Sequence, residues 1–155
     1  FFRSDEMGSA VHAASLERPV KLMIALEMIG YYDSTPGSQD YPSPAMSWLY
    51  PDRGDFIAVV GRMQDINAVR QVKAALLSSR DLSVYSMNAP GFIPGIDFSD
   101  HLNYWQHDIP AVMITDTAFY RNKQYHLPGD IADRLNYQKM AQVVDGVTTL
   151  LYNSK

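Results

Sequence analysis

Apolar and polar positions along the chain fall into two kinds of segment. Four runs rich in aliphatic and β-branched residues, 21–32, 55–63, 82–87 and 111–115, have the length and continuity of mostly buried strands. Segment 65–79 instead places Ile66, Val69, Val72, Ala75 and Leu76 on one helical stripe, with Asp65 positioned to cap its start. Segments 4–16 and 99–107 read as short helices. Segment 136–152, with apolar residues at Met140, Val143, Val144, Val147, Leu150 and Leu151, reads as a final helix packed on the sheet. Strands alternating with helices predict an α/β layer structure with a largely parallel sheet, whose ligand sites lie beyond the carboxyl ends of the strands.

That expectation directs attention to three long loops, 33–54, 88–98 and 116–130. The first is rich in Pro, Gly and Ser and carries Tyr41, Trp48 and Tyr50. It exceeds the roughly 12–15 residues beyond which loops are either functional or mobile, and both readings stand.

Composition narrows the function classes. The 155 residues, 46% of them hydrophobic, suffice for one packed domain, and no repeat or linker suggests a second. The net charge of -4 comes from interspersed signs, without the clustered Lys and Arg that nucleic acid requires, so no nucleic-acid partner is expected. No apolar run approaches the roughly 20 residues that span a bilayer, which predicts a soluble chain without a membrane partner. The start, Phe1-Phe2-Arg3-Ser4-Asp5-Glu6, lacks the features of a signal peptide. It also lacks an initiator Met, a first sign that the chain belongs to something longer. With no Cys, any metal must be held by His and carboxylates, and no thiol nucleophile is available.

Common catalytic signatures are missing: there is no G-x-S-x-G elbow, no phosphate-binding Gly loop and no H-E-x-x-H. Ser99-Asp100-His101 contains the residue types of a hydrolase triad, but three consecutive residues cannot align as nucleophile, base and orienter. Two residues remain anomalous. Glu27 interrupts an otherwise apolar strand, where its charge needs a metal, an Arg or Lys partner, or a solvated strand end. His126 lies in the polar loop segment Tyr125-His126-Leu127-Pro128-Gly129-Asp130, either as a surface residue or as a ligand. Both follow predicted strands, so they could converge at one edge of the sheet.

Three ordered patches give these anomalies a context. Ala25-Leu26-Glu27-Met28-Ile29-Gly30 resembles the strand of M28 aminopeptidases that ends in an acidic metal ligand. Ser99-Asp100-His101, followed by Ile109-Pro110-Ala111, resembles that family's Ser-Asp-His helix start and next strand. Tyr125 through Asp130, followed by Asp133-Arg134-Leu135-Asn136-Tyr137, resembles its ligand-histidine loop and final helix. The similarity covers essentially the whole chain. It implies a three-layer sandwich around a mostly parallel, twisted mixed sheet, with residues 1–155 forming the C-terminal portion of a single zinc peptidase domain, incomplete on its N-terminal side.

In that family two zinc ions share a bridging Asp and are otherwise held by two His and two acidic residues, while one Glu of a Glu-Glu pair is the general base toward a metal-bound water. The resemblance assigns Glu27 to one zinc and His126 to the other. Many members carry Asp at the first position, so Glu27 leaves ligand geometry and preferred metal less defined. Tyr125 corresponds to a residue that hydrogen-bonds the developing oxyanion in some relatives, the alternative being a Tyr packed under the loop. Asp100 and His101 correspond to residues that organise the loop and support the ligands. The His-x-Asp segment, the bridging Asp and the Glu-Glu pair are absent from this sequence. Related sequences carry an aromatic start and a Met-Gly-Ser stretch, here Phe1-Phe2 and Met7-Gly8-Ser9, shortly after that pair.

The implied function is therefore a zinc aminopeptidase that hydrolyses N-terminal peptide bonds of peptide substrates through a metal-activated water. The chain alone is expected to bind zinc weakly or not at all, to be inactive, and to self-associate through an exposed sheet edge. A glutaminyl cyclase-like acyltransferase of the same fold and a non-catalytic peptidase-like interaction domain are the competing readings. Family members are often secreted or periplasmic, which leaves the localisation of this chain open.

Overall fold

A computed structural model of the chain describes residues 2–153. Four strands, β1 (Met23–Leu26), β2 (Phe56–Gly61), β3 (Ser83–Asn88) and β4 (Ala111–Thr115), form one open sheet in the order β1-β4-β2-β3. The pairs β1/β4 and β2/β3 are parallel and β2/β4 is antiparallel, so the sheet is mixed and mostly parallel. Strand composition matches position. The inner strands β2 and β4 are buried along their whole length, whereas the edge strands β1 and β3 are only partly covered.

Alternation along the strands divides the core into two faces. Ile57, Val59, Val112 and Ile114 point to one side, where they meet Val69, Val72 and Leu76 of α2 (Ile66–Leu76) and Val143 and Leu150 of α4 (Tyr137–Asn153). Each fully buried aliphatic side chain contributes about 1.5–3 kcal/mol. The two helices approach so closely that a Cβ on Gly146 would lie 2.8 Å from the Leu76 Cα. On the other face, α1 (Gly8–Ala14) and α3 (His101–Trp105) cover the Ala111 end through Ala13 and Tyr104. The rest of that face, Phe56, Ala58, Val60 and Met113, lies under loops. Helices on both faces complete three layers.

Several boundaries differ from the sequence expectation for identifiable reasons. The predicted strand 21–32 ends at Leu26: the Glu27 N–H still donates to the Ile114 carbonyl, but Met28 then turns the chain with φ 54°. Segment 65–79 narrows to Ile66–Leu76, and Asp65 makes no cap hydrogen bond because its carboxylate accepts from Arg62 at 2.8 Å instead. Segments 4–16 and 99–107 shorten to α1 and α3. Asn136, by contrast, does open α4, its Oδ1 accepting from the Lys139 N–H. Val144 and Leu151 of that helix are 50% and 63% exposed, which places them on its outer side. No helix among the described residues is long and apolar enough to cross a membrane.

Candidate functional site

The site lies where β1 and β4 end and β2 begins. Because β2 runs antiparallel to β4, its first residue Phe56 reaches the same sheet edge as Glu27, just past β1, and Asp116, just past β4. Loop 33–54 is an ordered strap. An antiparallel bridge between Asp33 and Gly54 closes its base, and a 3-10 turn at Pro44–Trp48 shapes its tip. The strap and the 88–98 segment roof a cavity of about 470 Å³ over the sheet face. Its walls are dominated by apolar and aromatic groups, including Tyr41, Tyr50, Phe56, Tyr85 and Met113, and its rim carries Glu27, Tyr125 and His126.

Glu27 therefore takes the strand-end position, half buried, and forms no ion pair among the described residues. One oxygen accepts a hydrogen bond of 2.9 Å from the Ser99 hydroxyl. His126 is exposed and holds a left-handed backbone conformation, φ 59°, that orients the loop tip. The Tyr125 ring stacks on the imidazole at 3.9 Å between centroids. Burial first, then the charges of Glu27 and Asp130, raise the Tyr125 pKa, so the phenol keeps its proton and remains a donor.

The other two predicted residues are placed elsewhere. Asp100 is exposed, next to α3, and its carbonyl accepts from the Asn103 N–H. His101 is fully buried. Its Nε2 lies 2.7 Å from the Ile96 carbonyl and its ring sits edge-on against Trp105, which stabilises the segment roofing the cavity without touching Glu27 or His126. Within the Ser-Asp-His patch it is Ser99 that reaches Glu27.

The structure also adds residues that sequence reasoning missed. Asp116 is 1% exposed and accepts backbone N–H groups from Gly30 and Tyr31 on one oxygen and from Ala118 on the other. Burial nevertheless outweighs these donors and pushes its pKa up to about 6. A charged residue ending the mostly apolar run 111–115 was a visible cue, the same cue that singled out Glu27. Asn122, 1% exposed, organises the His126 loop. Its oxygen accepts from the Gln124 N–H and from Arg134, and its amide donates to Asp130. Arg134 continues to the Tyr31 hydroxyl, tying this loop to the segment after Glu27.

A resident metal would find an incomplete set of donors in this chain. Among the described residues no three His, Cys, Asp or Glu side chains converge as a metal site. Catalytic zinc takes about three protein ligands, and this rim offers Glu27 and His126.

An open mixed sheet with helices on both faces is the fold that the chain shares with solved aminopeptidases. It superposes on LapA aminopeptidase of Legionella pneumophila with a TM-score of 0.64 and 20% identity, covering 97% of this chain and 38% of LapA. For BSAP, a zinc aminopeptidase from Bacillus subtilis, the TM-score is 0.62 at 16% identity, covering 95% of this chain and 32% of BSAP. The aminopeptidase of Aneurinibacillus sp. strain AM-1 gives 0.59 at 21% identity, covering 94% and 29%. In sequence, the chain is 94% identical over all 155 residues to "Uncharacterized protein YfbL" of Escherichia coli (strain K12), and spans 48% of that relative's length. No protein-family profile matches the sequence.

Proposed function

We propose that this chain is the C-terminal part of an M28-type zinc aminopeptidase domain, in which Glu27 and His126 each ligate one of two zinc ions and the remaining ligands and the general base come from outside these 155 residues. The observation that carries this reading is the convergence of Glu27, Tyr125 and His126 on the rim of one cavity, at the strand ends of a fold shared with solved aminopeptidases, one of them, BSAP, a zinc aminopeptidase. Ser99 orients the Glu27 carboxylate, and Tyr125, stacked on His126, offers a protonated phenol to a developing oxyanion. The cavity fits an apolar N-terminal side chain. The hydroxyls of Tyr41 and Tyr50 are occupied by the Pro51 and Ser86 carbonyls, which supports binding by their ring faces.

Two ligands on separate metals hold neither well, so the isolated chain is inactive in this reading. The test is hydrolysis of leucine and phenylalanine amides and short peptides by a full-length protein containing this segment. Activity should be present in that protein and fall about 10²–10³-fold in Glu27→Ala and in His126→Ala, the scale of losing a transition-state charge stabiliser. Near-normal turnover in either variant would refute the assignment.

A further inference from the structure

Behind the cavity wall lies a buried cation that none of the proposed chemistry uses. Arg121 is 2% exposed and pairs with no carboxylate among the described residues. Burying a guanidinium this way is strongly unfavourable unless its donors are satisfied. Its Nε donates to the Gln39 side-chain oxygen at 2.9 Å, and its Nη1 donates to the carbonyls of Tyr31 and Phe56 at 3.0 and 2.9 Å. The guanidinium also lies over the Phe56 ring, 4.6 Å from the centroid.

The acceptors belong to three different segments: Tyr31 to the stretch after Glu27, Gln39 to the strap, and Phe56 to the first residue of β2 on the cavity floor. Arg121 itself belongs to the loop that carries His126. Gln39 extends the connection, donating to the Asp40 carbonyl and the Thr117 hydroxyl. Nη2 and the Tyr32 hydroxyl are buried without hydrogen-bond partners among the described residues. Gly54, at the base of the strap, is fitted to Arg121. A Cβ there would lie 2.5 Å from the Arg121 Cδ and Nε, and the same residue forms the bridge to Asp33 that closes the strap.

We propose that Arg121 is a positioning residue that clamps the strap to the cavity floor and to the His126 loop, and thereby fixes the aromatic wall of the cavity relative to Glu27 and His126. A side chain that only filled volume would be replaceable by Met. A clamp needs the fork of donors, which neither Met nor Lys provides.

Site-resolved amide hydrogen exchange on the wild-type chain and on Arg121→Lys, Arg121→Met and Gly54→Ala decides the matter. The reporting amides are Asp33, Gln39 and Asp40, which donate to Gly54, Asp52 and Tyr120 across the strap. In all three variants they should exchange at least about tenfold faster, while the amides of Ile57, Val59 and Ile114 stay within about twofold, as local opening without global unfolding requires. Adding Gly54→Ala to Arg121→Lys should accelerate the strap little further, because both changes remove the same contact. Wild-type exchange in Arg121→Met, or equal acceleration in the strap and the sheet, would overturn the proposal. Should Arg121→Met not fold, Gln39→Leu cuts the strap's link alone, and an unchanged strap in that variant would equally overturn it.

Discussion

Replacing Asp116 with Asn isolates a balance of opposing electrostatic effects at the heart of the site. The Asp116 carboxylate is buried and accepts three backbone N–H groups at 2.7–3.1 Å. Burial disfavours its charged form, while the backbone donors and the Arg121 guanidinium favour it. Burial is the larger effect, and the pKa rises from 3.8 to about 6. A group that binds its proton more tightly when folded contributes stability that is fully present below the unfolded pKa and is lost as pH rises through the folded one. The window here is about pH 4 to 6, and at ~1.4 kcal/mol per pH unit the rise corresponds to about 3 kcal/mol. Asp116→Asn removes the titration, although its NH2 replaces an oxygen that accepts a backbone N–H, a loss that is the same at every pH. Between pH 4 and pH 7 the variant should therefore gain up to about 3 kcal/mol relative to wild type, a relative shift of roughly 1–3 M in urea midpoint for a chain of this size. Urea unfolding of both proteins at half-unit pH steps measures this, and taking the difference cancels the titration of other carboxylates. A variant that loses stability relative to wild type as pH rises from 4 to 7 would show that the backbone donors and Arg121 together outweigh burial.

Three further outcomes follow from particular contacts. Gly146→Ala gains about 1 kcal/mol of helix propensity, but its methyl meets the Leu76 Cα at 2.8 Å. Overpacking costs of about 1–3 kcal/mol should win, and a raised melting temperature would contradict the α2–α4 packing described. Ser99→Ala removes the hydroxyl that holds Glu27, so in a full-length protein zinc affinity should drop about 10–100-fold, the usual cost of losing a ligand's supporting partner; equilibrium dialysis reads this, and unchanged affinity would show Ser99 to be idle. The isolated chain should self-associate through the open β1 edge beside Leu26, 48% exposed, and the outward Val144 and Leu151 of α4. Sedimentation velocity showing only monomer at high concentration would count against that surface.

Periodicity made most of the framework legible. The run 111–115 coincides with β4 and the stripe through Val69, Val72 and Leu76 is the buried face of α2, because a buried strand leaves a nearly continuous apolar run and a one-sided helix a periodic one. Strand direction was not legible: nothing in the composition of 55–63 shows that β2 runs antiparallel to β4, yet that reversal brings Phe56 to the site. The end of β1 was missed because Ile29 and Tyr32 continue the apolar pattern while packing against the core from a non-strand segment. Glu27 stood out as a charge in an apolar run, and Asp116 could have been found in the same way. Arg121 and Asn122 could not, since a polar residue in a polar loop carries no mark of burial. Trp48, prominent in the sequence, is 89% exposed, whereas Tyr41 and Tyr50 of the same strap face the cavity.

Glu27 and His126 are proposed as ligands to two different zinc ions whose remaining ligands lie outside this segment. Zinc content per chain, measured by elemental analysis after dialysis against metal-free buffer, tests this assignment most directly. About two zinc ions are expected in a full-length protein carrying this segment, a clear loss in both Glu27→Ala and His126→Ala, and well under one in the 155-residue chain, in keeping with the roughly three protein ligands that catalytic zinc takes. Two tightly held zinc ions in the isolated chain, or an unchanged content in either variant, would contradict it.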